Sequence, residues 1–441
     1  MLVILPTALE PSGVVTWAIR LASSLVETGR DARLLLHGAV DGPIAGAIDP
    51  RVRVFEHPEL PCFDALAGDL AGVIPVYARA IVAMRRGGAP VVVSPNLHAD
   101  CYGAVAALTQ TMGADVRTIG WAHSDNRYDE RVLAHYEPVL HAVVGVSEVV
   151  RDGLARSMAS RSDDVHRIPY GVPVGDAPEE RDRDGTLRLV FTGRIEDEQK
   201  RATALVYLSR TLERLGVPHE LRVVGDGPLQ ASLERDATAS MRWLGTLGPV
   251  GVREQLSWGD ALVLPSRYEG LSVSMLEAMA CGCAPVVTRV RSGVDEAIEH
   301  GRSGVIVDVG VDARPEDAGE GMARAIAAVQ RDELIGMGRR AHAIAASRYA
   351  LRAHAERVSA LIDSVVRQPP RYWPASRAAA FTSAHAGSGS TPADAPARLR
   401  GALLALRGRR VALHGTGQHT RDLASVLATK AGSCVVAFCD D

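Results

Sequence analysis

The run RYEGLSVSMLEAMACG, Arg267 to Gly282, sets Glu269 and Glu277 eight residues apart around a short polar loop. Glu269 falls in a Gly/Ser-flanked turn and Glu277 in a helix-like stretch. Ionised carboxylates only accept hydrogen bonds, so two of them beside a helix start suit a ligand rich in hydroxyls. A purely local role also fits, because Ser274-x-x-Glu277 matches a capping box. Gly270, Leu271, Ser272 and Val273 open the helix, where free N–H groups and the helix dipole favour an anion. Upstream, VFTGRIEDEQKRA ends a strand at Gly193 and carries two cations, Arg194 and Lys200. The chain has 49 Lys plus Arg, yet only two are lysines, Lys200 and Lys430. A compact ammonium at Lys200 suits a phosphate oxygen. Cations with a helix N-terminus suit a diphosphate, and carboxylates suit sugar hydroxyls. A ligand with both parts is a sugar nucleotide, with Glu277 on the ribose and Glu269 on the transferred sugar.

Those residues sit at strand ends. LVILPT, DARLLLH, APVVVSPN, VRTIGWAH and HAVVGVS alternate with helical runs. After the Gly/Pro/charge-rich break PYGVPVGDAPEERDRDG the pattern restarts with LRLVFTG, HELRVVGDG, MRWLGTL, ALVLPS and APVVTRV. Near-continuous Val/Ile/Leu strands between helices predict parallel sheets covered on both faces. The fold class expected is α/β, with two doubly wound domains. Ligands of such sheets bind beyond the carboxyl ends of the strands, so the site is expected in a cleft between the domains. The predicted boundaries are 1–170 for the first domain and 171–349 for the second. A last helix over 350–367, a linker over 368–407 and a partial βαβ unit over 408–441 follow.

Composition narrows the class. The chain has 441 residues, 47% apolar and 23% charged, with a formal net charge of −3. That charge gives no overall basic field for nucleic acid. No apolar run reaches the length of about 20 residues that spans a bilayer. The six cysteines are too sparse for a disulfide framework, which predicts a reducing, cytoplasmic setting. The run YARAIVAMRRGG reads first as a solvated helix end and second as a basic helix touching a membrane surface.

The ordered set FTGRIEDEQKRA…VVGDGP…LPSRYEGLSVSMLEAMACGCAPVVT…SGVDEAIEHGRSGVIV resembles the donor domain of retaining family 4 glycosyltransferases, which have the GT-B fold. Glu269 and Glu277 match that family's E-x7-E element, and Arg194 and Lys200 its diphosphate-gripping pair. PSGVVTWAIRLASSLVETG resembles the first Gly loop and helix, placing Gly13 near the donor phosphates. GWAHSD resembles the element whose His, here His123, lies by the donor sugar. Leu247, after the strand MRWLGTL, joins the donor-binding set. Two departures bear on loop geometry: Ser12-Gly13 stands where two glycines are common, and the gap from Arg194 to Lys200 is one residue longer than usual.

The resemblance implies a nucleotide-diphosphate sugar as co-substrate, no cofactor, and a glycan, lipid-linked or small-molecule acceptor. It implies catalysis by Arg194, Lys200, Glu269 and His123 with retention of configuration. No Asp-x-Asp motif lies in a fitting loop, so no metal is expected. A non-catalytic scaffold of the same fold and a sugar-nucleotide epimerase are the alternatives. His98 and Asp125 are weaker candidates than His123. In the tail, Gly415-x-Gly417-x-x-Thr420 and Asp440 resemble the first βαβ of Rossmann-like sugar-modifying enzymes. One βαβ makes no stable sheet alone, so a cofactor there is not expected.

Overall fold

The computed structural model describes residues 1–62, 70–85, 87–177 and 185–381, together with the strands 411–414 and 435–439. The first sheet contains β1 (Leu2–Leu5), β2 (Arg33–Leu36), β3 (Arg53–Glu56), β4 (Val91–Pro95), β5 (Val116–Ala122), β6 (Leu140–Gly145) and β7 (Val165–Arg167). Its order is β3-β2-β1-β4-β5-β6-β7, and every pairing is parallel. The helices between are α1 (Gly13–Glu27), α2 (Val73–Met84), α3 (Ala99–Met112), α4 (Arg127–Tyr136) and α5 (Glu148–Ser157).

The second sheet repeats the plan. It holds β8 (Leu187–Thr192), β9 (His219–Val224), β10 (Met241–Gly245), β11 (Ala261–Leu264), β12 (Ala284–Thr288) and β13 (Val305–Val307), in the order β10-β9-β8-β11-β12-β13. These pairings are parallel too. Its helices are α6 (Ala204–Arg214), α7 (Gln230–Asp236), α8 (Pro249–Trp258), α9 (Val273–Ala280), α10 (Val294–Ala297), α11 (Pro315–Ala327) and α12 (Arg331–Arg348).

The central strands are apolar and fully buried because helices cover both faces. The sequence pattern leaves out three outer strands, β3, β7 and β13. β13 is a buried apolar run of only three residues. β3 and β7 are short and rich in charge, and β3 sits at an edge where its outward side chains stay wet. Their local composition resembles that of a loop, and only pairing with β2 and β6 makes them strands.

Two connectors cross between the domains. Val172 N–H donates to Tyr349 O at 2.9 Å, and Leu351 N–H donates to Val172 O at 3.0 Å. Beyond the crossing, α13 (Leu351–Arg367) returns to pack on α1.

The linker expected from residue 368 does not begin there. Residues 368–381 lie along the first domain. Trp373 is 2% exposed, its N–H donates to Thr109 Oγ1 at 2.9 Å, and Tyr136 OH donates to Ala379 O at 2.7 Å. Trp373 also packs on His135 and Tyr136, so burial of its ring overrides the Pro-rich local composition. The rest of the expected linker, 382–407, lies outside the described residues. In the tail, β14 (Val411–His414) and β15 (Val435–Cys439) pair in parallel. Gly415, Gly417, Thr420 and Asp440 lie outside the described residues.

Candidate active site

Each sheet reverses its strand order beside its first strand, between β1 and β4 and between β8 and β11. Such switch points open a crevice at the carboxyl ends of the strands. Helix α1 follows β1 and helix α9 follows β11, so each crevice receives a helix N-terminus. Ser12 caps α1 by accepting from Val15 N–H at 3.2 Å. Ser272 caps α9 by accepting from Met275 N–H. The capping box expected at Ser274 and Glu277 is therefore not formed. Ser272 has the extended backbone of a cap, and Ser274 lies inside the helix. An ideal Cβ on Gly13 would lie 3.6 Å from Val273 Cγ2, so the two helix starts adjoin.

The edge of the second sheet carries the charge. Lys200 Nζ donates to Glu269 Oε1 at 2.6 Å, and Ser266 Oγ donates to the same oxygen at 2.8 Å. The Lys200 and Glu269 side chains are 14% and 9% exposed, so this pair is shielded yet open on one side. The loop that presents Lys200 is held by Glu196, whose carboxylate accepts from the backbone N–H groups of Gln199 and Lys200. Arg201, next in sequence, is fully buried at a φ of 50° and donates to Gly310 O and Val311 O. Burial holds its guanidinium down to about 10. Arg194 is exposed on the same edge. The strand ends beside it meet backbone to backbone: Gly225 has a φ of 134°, and an ideal Cβ there would fall 1.9 Å from Gly193 O. Only glycine fits that turn. Leu247 is half-buried after β10, and the loop after β2 reaches it, with Pro43 O 3.0 Å from an ideal Cβ on Gly248.

Glu277 takes its cation from the other domain. Arg20, on α1, donates from Nη2 to Glu277 Oε1. Glu269 and Glu277 thus each have their own cation, Lys200 from the same domain and Arg20 from the opposite one.

The edge of the first sheet is neutral and aromatic. His123 is 8% exposed and has both ring nitrogens bonded, Nδ1 to Tyr170 OH at 2.8 Å and Nε2 to Asn96 Oδ1 at 3.0 Å. The Asn96 amide donates to Ile4 O and Ser94 O, so its oxygen faces His123. That arrangement sets Nε2 as the donor and Nδ1 as the acceptor from Tyr170. Burial pushes the imidazole down to about 3. Trp17 packs edge-on against it and Trp121 and Tyr170 stack with it. His123 is therefore a fixed neutral wall, with both ring nitrogens engaged in hydrogen bonds. Its backbone meets the donor loop: Ser124 and Gly270 form an antiparallel bridge, and an ideal Cβ on Gly270 would lie 2.2 Å from His123 O.

The structure thus brings Gly13, His123, Lys200, Glu269, Glu277 and residues 270–273 to one cleft. His98 instead caps α3, accepting from Asp100 N–H at 3.2 Å, and Asp125 pairs with Arg291 at 3.1 Å. The sequence reading missed Arg20, Asn96 and Tyr170. Arg20 stands seven residues after Gly13 and so shares its helix face, a signal that was available. Asn96 and Tyr170 depend on long-range packing and left none. Among the described residues no three His, Cys, Asp or Glu side chains gather as a metal site, and no helix is long and apolar enough to cross a membrane.

Residues 186–332 match the family model described as "Glycosyl transferases group 1". The alpha-D-kanosaminyltransferase of Streptomyces kanamyceticus is 29% identical over 182 residues, 38% of this chain and 47% of that protein. The D-inositol 3-phosphate glycosyltransferase of Pseudarthrobacter chlorophenolicus is 37% identical over 133 residues, 28% of this chain and 31% of that protein. The matches thus span less than half of the length of these curated relatives. Anabaena HepE, solved in complex with UDP-glucose, superposes with a TM-score of 0.63 at 16% identity, over 82% of this chain and 99% of that one. The sucrose-phosphate synthase of Thermosynechococcus elongatus gives 0.63 at 17% identity, over 82% and 98%. At these identities the superpositions establish the fold. Residues 186–332 are thus similar to the glycosyl transferases group 1 model, and the chain around them has the GT-B fold.

Proposed function

We propose that this chain is a retaining, metal-independent glycosyltransferase. It moves a sugar from a nucleoside diphosphate to an acceptor hydroxyl. One observation carries the reading: Glu269 and Glu277, each holding a cation, flank the N-terminus of α9 where it adjoins the N-terminus of α1. Two helix starts and Lys200 favour a diphosphate between them, and Arg194 adds a cation at the rim. The carboxylates suit the ribose and the transferred sugar. HepE, with the same fold, was solved with UDP-glucose, which supports a nucleotide-sugar donor here.

In the proposed reaction the bond from the anomeric carbon to the leaving phosphate oxygen breaks. The new bond to the acceptor oxygen forms on the same face, and the acceptor proton passes to that phosphate oxygen. Lys200, Arg194 and the helix N–H groups stabilise charge developing on the diphosphate, the role a metal ion plays elsewhere. Such a step needs no basic side chain, which agrees with the fully bonded, neutral His123. Glu269 orients the transferred sugar, and Glu277 the ribose. The reading places the chain in the cytoplasm, with its free thiols reduced.

The test is incubation with nucleotide sugars alone and then with candidate acceptors, each with and without EDTA. The reading expects nucleoside diphosphate release that requires acceptor and survives EDTA. Release without acceptor, or full loss in EDTA restored by magnesium or manganese, contradicts it.

A further inference from the structure

Glu277 belongs to the second domain and its cation to the first. Arg20 and Gly13 lie on one flank of α1, the flank that faces α9. The Arg20 and Glu277 side chains are only 14% and 18% exposed, so the pair is shielded from solvent. Among the described residues, two other ion pairs between the domains lie nearer the surface: Arg291 with Asp125 and Arg167 with Glu296, whose arginines are 61% and 29% exposed. The Arg20 bond is single rather than bidentate, since Nη2 reaches Oε1 and the second terminal nitrogen, Nη1, is buried with no hydrogen-bond partner. A buried N–H left unpaired is costly, so the free Nη1 calls for an explanation.

We propose that Arg20 is a positioning residue for the donor. It holds Glu277 turned so that the rest of the carboxylate meets the ribose hydroxyls. Because Arg20 comes from the opposite domain, this orientation depends on the contact between α1 and α9. The inference rests on the reading of Glu277 as the ribose contact.

The experiment is calorimetric titration of the full chain with whichever of UDP, GDP and ADP it binds. The variants are Arg20→Ala, Arg20→Lys, Glu277→Gln and the double variant Arg20→Ala/Glu277→Gln. Arg20→Ala is expected to weaken binding about tenfold or more, the size of a charge-assisted hydrogen bond, and Arg20→Lys by less. The double variant is expected to bind within about threefold of Glu277→Gln, because the two side chains act through one contact. Unchanged affinity in Arg20→Ala, even with a lowered melting temperature, overturns the proposal and leaves a staple. Fully additive losses also overturn it. Unchanged affinity in Glu277→Gln would instead remove the ribose reading on which the proposal stands. If Arg20→Ala does not fold, Arg20→Lys with the double-variant comparison made on Lys carries the same test.

Discussion

The two sheets share one strand plan yet present opposite chemistry at their carboxyl edges. The second ends in Lys200, Glu269 and Glu277, paired charges partly open to the cleft. The first ends in Trp17, Trp121, His123 and Tyr170, a neutral cluster buried to 8% or less. The same topology supplies both edges, so topology fixes where a ligand sits and the strand-end residues fix what it is. In the proposed reading, charge on one side grips an anionic donor, while the apolar cluster on the other excludes water and strengthens those charges.

The comparison breaks if the strap over the first domain influences the donor edge. Trp373→Ala removes a buried ring and should cost about 3–5 kcal/mol of stability in urea unfolding. Nucleoside diphosphate affinity of the folded variant should stay at its original value. Truncation after Arg367 should cost stability in the same way. A donor affinity that falls with Trp373 would show the two edges to be one unit.

Lys200→Ala strikes the charged edge. It removes a cation from the diphosphate and leaves Glu269 with Ser266 as its remaining close donor. Loss of a charge-assisted bond predicts roughly 1.5–3 kcal/mol, read as weaker nucleoside diphosphate binding by calorimetry. A loss of stability alone, with affinity intact, would make Lys200 a structural partner of Glu269.

The neutral edge has a pH signature. Burial holds His123 and His141 at about 3 and His354 at about 4, and it lowers His37 and His166 as well. The unfolded chain protonates these groups near 6.5, so the stability they contribute is complete above that pH and is lost as pH falls towards the folded values. Each such histidine costs about 1.4 kcal/mol per pH unit across that window. Asp129, raised by burial to about 6, opposes this with one proton between about 6 and its ordinary value. Urea unfolding from pH 6 to 4.5 should therefore show a net uptake of roughly two or more protons, and His354→Gln should reduce it. A flat profile would show that these buried histidines are not held neutral.

The smallest effect belongs to the rim. Arg291 is 61% exposed, so Arg291→Ala should change stability by at most about 1 kcal/mol. A larger change in thermal unfolding would mark Arg291 as part of the cleft.

The two edges also differ in how far the sequence revealed them. The charged edge was legible because Arg194, Lys200 and Glu269 lie in loops after strand ends and Glu277 in the helix that follows, where residue type and spacing carry the chemistry. The neutral edge was not, because Asn96, Tyr170 and Trp17 look like ordinary core residues until packing brings them to His123. The central strands were readable from their apolar runs, whereas β3 and β7 are strands only through their neighbours. The strap was hidden for the same reason: Trp373 stands among prolines, and only its contacts with His135 and Tyr136 mark it as core. The capping box failed by two residues, since Ser272 and Ser274 both offer a hydroxyl and the backbone turns at the first.

The central claim is that Glu269 and Glu277 divide one donor between them, sugar and nucleotide. Nucleoside diphosphate affinity measured by calorimetry on Glu269→Gln and Glu277→Gln, beside the unmodified chain, tests it most directly. The account predicts that Glu277→Gln weakens binding roughly 10- to 150-fold while Glu269→Gln leaves it unchanged and lowers only turnover. Loss of diphosphate binding in Glu269→Gln with none in Glu277→Gln would contradict it.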